Sequence, residues 1–167
     1  SDGNVSERYH LVVLKTSANL KLNDLIGKKI LLGQPESAAQ DYLPRLNLLK
    51  ANLKKKDFDT VAYEESEEKR VGMIINAKFD AIVVGDNVFQ ENKDGFSSLA
   101  SWESPPVLWI ASSRIELPQF EEIQRGTLNI SSKPFEKINE GRHFDPRANS
   151  DLSDIEEAVH VSWLFNE

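Results

Sequence analysis

Ser37, Ala38 and Ala39 follow an apolar run that ends at Gly33, and they open a helical pattern. A helix N-terminus after a tight turn presents free backbone N–H groups and the positive end of the helix dipole, which suit phosphate, phosphonate or carboxylate. The Ser37 hydroxyl, with the amides of Ala38 and Ala39, is therefore a candidate oxyanion site. The alternative is that Ser37 only caps its own helix, a frequent role of serine.

Two further loops carry candidate ligand contacts. Glu64, Glu65 and Ser66 follow one predicted strand, and Asp86 follows another. Two unit charges about 4 Å apart interact with up to ~4 kcal/mol near a protein surface. These carboxylates, with Glu36, therefore oppose a bound dianion. A ligand that carries an amine, or a protein surface, would fit the charge better.

Side chains for covalent or metal chemistry are poorly grouped. The three histidines, His10, His143 and His160, lie far apart, and neither HxxxH nor HExxH spacing occurs. The chain has no cysteine, which removes thiolate catalysis and cysteine-based zinc sites. GxSxG, GxGxxG and Walker motifs are also missing. The sequence therefore predicts a protein that is not an enzyme, with no catalytic residue, no cofactor and no metal site.

Charge and hydropathy narrow the class of partner. The 167 residues are enough for one domain with a core, and the net charge is −7. Nucleic acid is not an expected partner, because neutralising its phosphates needs a basic face. The dense basic cluster at Lys50 and residues 54–56 lies late in a predicted helix, where cations suit the dipole. No window reaches the ~18 apolar residues of a membrane helix.

The secondary-structure pattern alternates strands with helices through Val84. Short apolar runs bounded by turn residues indicate buried strands, and serines with following acidic or apolar periodicity indicate helix starts. The predicted strands are 9–15, 29–33, 60–63, 81–84 and 107–111; the predicted helices follow Ser37 and Ser66 or begin at Pro118 and Ser153, with one short turn within 19–25 closed by Gly27.

This alternation predicts an α/β sheet with parallel strands joined by right-handed crossovers. In such sheets, ligands bind beyond the carboxyl ends of the strands. Residues 34–39, 64–66 and 85–87 all follow strands. We therefore expect these three loops to meet at one edge.

Four short motifs occur in a recognisable order between residues 9 and 128. The matching residues are Asp24, Leu25, Gly27 and Lys28; Pro35 and Ser37; Asn76, Asp80 and Ala81; and Ser101, Pro105 and Val107. Together they resemble the second lobe and return segment of the phosphate/phosphonate-type periplasmic substrate-binding proteins of ABC transporters. The strand at 9–15 is similar to the one that crosses between the lobes of that family.

The resemblance implies a type II periplasmic-binding-protein-like lobe with a parallel-rich sheet flanked by helices, plus a C-terminal helix. It also implies a small anionic or zwitterionic ligand such as a phosphonate. The expected partner is a membrane permease or sensor, and the expected location is periplasmic or extracytoplasmic.

Several positions depart from the pattern of the family. Ala38 and Ala39 replace hydroxyl or glycine features, Ala77 replaces a glycine, and the usual histidine near residues 64–66 is missing. A first lobe before Tyr9 is also expected and is not in this sequence. These departures leave a second function open, in which a degenerate lobe is a protein-interaction or sensory module without a small-molecule ligand.

The predicted organisation has two parts. A solute-binding-like α/β domain spans residues 1–130, and a linker with a docked C-terminal helix spans 131–167. Within the first part we expect a hinge strand near 9–15, a lobe core at 25–90 and a return segment at 100–128.

Two aromatic residues and the sheet edge complete the expectations. Trp163 shares a helical face with Ile155 and Val159 and is predicted to dock the terminal helix. Trp102, just before a proline pair, either lines a cleft or packs in a loop. A sheet edge without an opposing lobe would favour a homodimer.

Overall fold

The computed structural model describes residues 7–17, 20–105, 114–128 and 153–166. The chain divides into two compact units. The larger comprises Glu7–Pro105 with Leu152–Glu167, and the smaller comprises Ser1–Ser6 with Pro106–Asp151. In the smaller unit the described regular element is the helix Leu117–Leu128, close to the helix predicted from Pro118. The predicted boundary at residue 130 stays a prediction.

The larger unit holds a five-stranded sheet, which positions every candidate site residue. Its strands are β1 (Arg8–Leu14), β2 (Lys29–Leu32), β3 (Thr60–Tyr63), β4 (Ala81–Gly85) and β5 (Phe96–Glu103). The α-helices among the described residues are α1 (Leu43–Lys50), α2 (Glu67–Ile75), α3 (Asp86–Glu91), α4 (Leu117–Leu128, in the smaller unit) and α5 (Ser153–Val161). A π-helical turn, Ala38–Tyr42, precedes α1, and a 3-10 turn, Ser162–Asn166, follows α5.

The strands lie in the order β3-β2-β4-β1-β5. β2 pairs in parallel with β3 and β4, whereas β1 pairs antiparallel with β4 and β5. Four strands therefore run in one direction, and the parallel-rich α/β class is confirmed. The expectation of parallel pairing is wrong for β1. An apolar strand pattern reports burial, which is the same for either direction, so the sequence could not show this reversal.

Helices cover both faces of the sheet, so the central strands are buried on both sides. Residues alternate along each strand, with Leu11 and Val83 in one apolar cluster and Val12 and Val84 in the other. α1 and the C-terminal 3-10 turn cover the first face, while α2 and α3 cover the second. This double burial explains why the strands read as continuous apolar runs.

Three regions differ from the sequence-based expectation. α3 and β5 form where the sequence pattern predicted only a loop and the beginning of a return segment. The strand predicted at 107–111 lies outside the described residues. The terminal helix does dock, but Ala158 and Phe165 are buried there while Trp163 is 54% exposed. The predicted docking residue was therefore wrong, since the helical period shows a face but not which face packs.

Candidate functional site

The carboxyl ends of the parallel strands form the candidate site. β3, β2 and β4 are neighbours and run the same way, so the turns after them lie at one edge of the sheet. The start of β1 reaches the same edge, because Tyr9 pairs with Gly85 and with Trp102. The expected meeting of the three loops is confirmed. The start of β1 and the end of β5 lie at the same edge, which the sequence pattern did not predict.

Ser37 stands at the N-cap position of the π turn after β2. Its hydroxyl oxygen accepts a hydrogen bond from the Gln40 N–H at 3.3 Å, which is the capping interaction expected from sequence. The amides of Ala38 and Ala39 donate to no partner within the described part of the chain. The Ser37 O–H, whose oxygen accepts the cap bond, can still donate its hydrogen. Capping and contact with an anion are therefore compatible at this residue.

Pro44 explains how the carbonyls of this π-helical turn are used. Proline has no N–H to donate back along the helix, so carbonyl groups in the preceding turn need other partners. The Ala39 carbonyl accepts from Trp102 Nε1 at 2.7 Å, and the Gln40 carbonyl accepts from the Gly33 N–H at 3.1 Å. Trp102 therefore packs behind the turn and anchors it to β5.

A buried ion pair holds the same turn from below. Asp41, 3% exposed, receives Arg45 Nε on one carboxylate oxygen and Nη2 on the other, each at 2.8 Å. Its oxygens also accept from the Tyr63 hydroxyl at 3.0 Å and from the Glu36 N–H at 2.9 Å. Glu36 has φ +63, a left-handed conformation that costs a non-glycine residue about 1–2 kcal/mol. Asp41 therefore fixes the strained turn and ties it to the end of β3.

Glu64, Glu65 and Ser66 lie in the loop between β3 and α2. Ser66 caps α2 by accepting from the Lys69 N–H at 3.3 Å, and a Glu64 carboxylate oxygen accepts from the Ser66 N–H at 3.0 Å. Glu65 is exposed, and its backbone carbonyl accepts from Arg70. The polar side chains of Glu64 and Ser66 are thus used within their own loop.

Arg70 is the residue that shapes this loop, and no sequence pattern predicted its role. Its side chain is 1% exposed. It donates to the carbonyls of Glu64 at 2.7 Å, Glu65 at 3.0 Å and Val83 at 2.8 Å. Burial lowers the pKa of Arg70, and Glu67 is the first of the acidic groups that offset this. The guanidinium therefore joins the two strand ends through backbone carbonyls.

Asp86 is the first residue of α3, and its carboxylate contacts a side chain of β1. Its carboxylate accepts from His10 Nε2 at 3.0 Å and from Gln90 Nε2 at 3.2 Å. Hydrogen bonds from Gln90 and then from His10 hold the pKa of Asp86 below its usual value. His10 is buried, stacks on Phe89 and contacts Ser98 Oγ through Nδ1 at 3.0 Å. Asp86 stays ionised at neutral pH and is 41% exposed, so it can still contribute charge at the edge.

Among the described residues, no group of three or more histidine, cysteine or acidic side chains could hold a metal ion. No described helix combines the length and apolar character that crossing a bilayer requires.

Solved structures share this architecture at low sequence identity. XAC2383 from Xanthomonas citri bound to ATP aligns with TM-score 0.77 and 12% identity, over 97% of this chain and 69% of that one. PhnD1 from Prochlorococcus marinus in complex with methylphosphonate aligns with TM-score 0.64 and 18% identity, over 93% and 66%. A binding protein component of an ABC phosphonate transporter from Pseudomonas aeruginosa aligns with TM-score 0.63 and 14% identity, over 95% and 58%.

These likenesses define the fold as that of periplasmic binding proteins of type II, and they confirm the predicted fold class. The chain spans between 58% and 69% of the length of these three structures. A comparison with curated proteins found no match.

The family follows from a match along most of the sequence. Residues 1–152 match the family model described as ABC transporter, phosphonate, periplasmic substrate-binding protein. The chain therefore belongs to that family, and the resemblance seen in the motifs is confirmed. The family consists of substrate-binding components of transporters, which bind ligands and are not enzymes.

Proposed function

We propose that this protein captures a small phosphonate-class ligand, anionic or zwitterionic, at the carboxyl edge of its sheet. The observation that carries the proposal is the pair of amides at Ala38 and Ala39, which have no partner among the described residues and lie beside the Ser37 hydroxyl. Backbone N–H groups at a helix start are suited to oxyanions, and this start directly follows the left-handed Glu36 turn. Glu64, Glu65, Ser66 and Asp86 complete the proposed contact set.

Membership of the family supports the rest of the proposal. The protein would bind its ligand without transforming it and pass it to an ABC permease or a sensor outside the cytoplasm. PhnD1 from Prochlorococcus marinus was solved with methylphosphonate, which makes that compound a reasonable first probe. The comparisons give no support to the alternative of an interaction module without a ligand.

Isothermal titration with phosphate, methylphosphonate and 2-aminoethylphosphonate tests the proposal. We expect saturable heat with at least one of the phosphonates. Ser37→Ala should weaken it by about tenfold, because a hydrogen bond to a charged group contributes about 1.5–3 kcal/mol.

Asp57→Ala is the matched control. Asp57 accepts from the Lys54 N–H at 2.7 Å and precedes β3, at the opposite edge of the sheet. Its loss should lower stability but leave the affinity unchanged. Absence of saturable heat with all three compounds would overturn the proposed function, as would equal weakening by both substitutions.

A further inference from the structure

Glu67 was not among the ligand contacts expected from sequence, although its three preceding neighbours were. It lies in the first turn of α2, and its carboxylate turns back to the end of β4. There it accepts a hydrogen bond from the Gly85 N–H at 2.5 Å. It also lies 3.7 Å from Arg70 Nη2 and remains about one-third exposed. A charged side chain of the protein thus occupies this point of the edge.

The groups that Glu67 satisfies are those that an incoming anion would otherwise use. A backbone amide at the carboxyl end of a parallel strand and a nearby guanidinium are both good donors to phosphate. In this chain the Gly85 amide is already paired with a carboxylate. Arg70 donates hydrogen bonds from Nε and Nη1 to backbone carbonyls. The Gly85 amide is therefore not free for an incoming anion.

Tyr9 connects this point with the turn after β2. The nearest neighbours of a Cβ built on Gly85 would be Glu67 Oε1 at 3.5 Å and the Tyr9 ring at 3.9 Å. On its other side Tyr9 interacts with the Gln40 side chain, and the Gln40 N–H donates to Ser37 Oγ. Burial first, and then the nearby Glu7 carboxylate, raise the pKa of Tyr9, with a smaller contribution from Glu67. Tyr9 therefore lies near both Glu67 and Gln40, the residue whose N–H donates to Ser37.

We propose that Glu67 is the residue that selects the charge of the ligand. The proposal rests on the proposed function. With the Gly85 amide taken, the anionic group of a ligand is confined to the amides of Ala38 and Ala39. The remaining charge of Glu67 opposes a second negative charge and attracts a cationic group. A phosphonate with an amine should therefore bind better than one without.

Glu67→Gln tests this with little structural change. Glutamine has the same length, and its carbonyl oxygen can still accept from the Gly85 N–H. Titrations at neutral pH and low salt with methylphosphonate and 2-aminoethylphosphonate give the ratio of the two affinities. We expect the substitution to shift this ratio by about tenfold towards methylphosphonate, because it removes a unit charge that attracts the amine.

Glu68→Gln is the matched control. Glu68 is the next residue of the same helical turn, carries the same charge and is exposed. Its substitution should leave the ratio within about twofold, because exposed charges are well screened.

The outcomes separate this inference from the proposed function. If neither phosphonate binds the wild-type protein or the variants, the proposed function fails, and this inference fails with it. If both bind and Glu67→Gln leaves the ratio unchanged, or shifts it no more than Glu68→Gln, only the inference is overturned. A shift confined to Glu67→Gln supports both.

Discussion

Two corners of the edge, one after β2 and one after β3, each depend on a buried arginine. Arg45 contacts both oxygens of the Asp41 carboxylate, one through Nε and the other through Nη2. Arg70 instead donates to three backbone carbonyls, and its nearest carboxylate, on Glu67, is 3.7 Å away. The first corner therefore depends on a complete ion pair, and the second on neutral acceptors. Removing one partner should lower the free energy of unfolding more at the first corner, since it leaves a buried charge without a counter-charge.

Asp41→Ala should have the largest effect on stability. It leaves Arg45 buried without its counter-ion and releases the Glu36 amide and the Tyr63 hydroxyl. We expect the free energy of unfolding to fall by about 3–5 kcal/mol, measured by urea denaturation.

Glu103→Ala is the control for that prediction. Glu103 pairs with Arg8, but the two side chains are 48% and 57% exposed, so the loss should be at most about 1 kcal/mol. Similar losses from both substitutions would contradict the special cost assigned to the corner after β2.

Arg70→Met should have a smaller effect, of about 2–3 kcal/mol. The long apolar side chain fills similar space, and the groups left behind are neutral carbonyls that can partly find water. Glu67 keeps its hydrogen bond to Gly85. Urea denaturation under the same conditions gives the comparison, and a loss greater than that of Asp41→Ala would reverse the order proposed for the two corners.

The glycines that end β2 and β4 offer a matched pair. A Cβ on Gly33 would lie 2.7 Å from the Cβ of Gln40, whereas a Cβ on Gly85 would have no neighbour closer than 3.5 Å. Gly33→Ala should therefore destabilise by about 2 kcal/mol through overpacking. Gly85→Ala should stay within about 0.5 kcal/mol. Thermal unfolding of the two variants decides between them, and equal losses would refute the tight packing assigned to the first corner.

Tyr63 gives the smallest effect, visible only at high pH. Burial and then the Asp41 carboxylate raise its pKa to about 12 from an ordinary value near 10. A raised pKa in the folded state means that the stabilisation is present below pH 10 and is lost as the pH rises to about 12. Absorbance titration of the wild-type protein and of Tyr63→Phe measures this pKa. The variant should lose the late ionisation, and an unchanged titration curve would place that ionisation on another tyrosine.

The sequence predicted much of the frame because local patterns decide it. The strands at 29–33 and 60–63 and the caps at Ser37 and Ser66 match the observed elements closely. After the Asn76 cap of α2, Ala77 adopts φ +54 at the position where the family pattern has a glycine. β5 was missed because serine and alanine fill an edge strand that is only partly buried.

The positions of the candidate site residues along the sheet edge were predicted, but their hydrogen-bond partners were not. Placing Ser37, Glu64 and Asp86 at one edge needed only strand order and direction. The partners of these residues depend on long-range contacts, such as Tyr63 with Asp41 or Glu67 with Gly85. No local spacing reports such contacts. Asp41 and Arg45, four residues apart, resemble an ordinary surface pair until tertiary packing buries them.

By itself, the sequence determined the α/β class, the family, and the helix start after β2, because apolar periodicity, caps and motif order are local properties of the sequence. The tertiary structure alone decided that β1 runs against its neighbours, that Trp102 anchors the π turn, and that Arg70 and Asp41 are buried. It also decided that Glu67 meets the Gly85 amide. The physical reason is that burial and long-range hydrogen bonding arise only when distant strand ends are brought to the same edge.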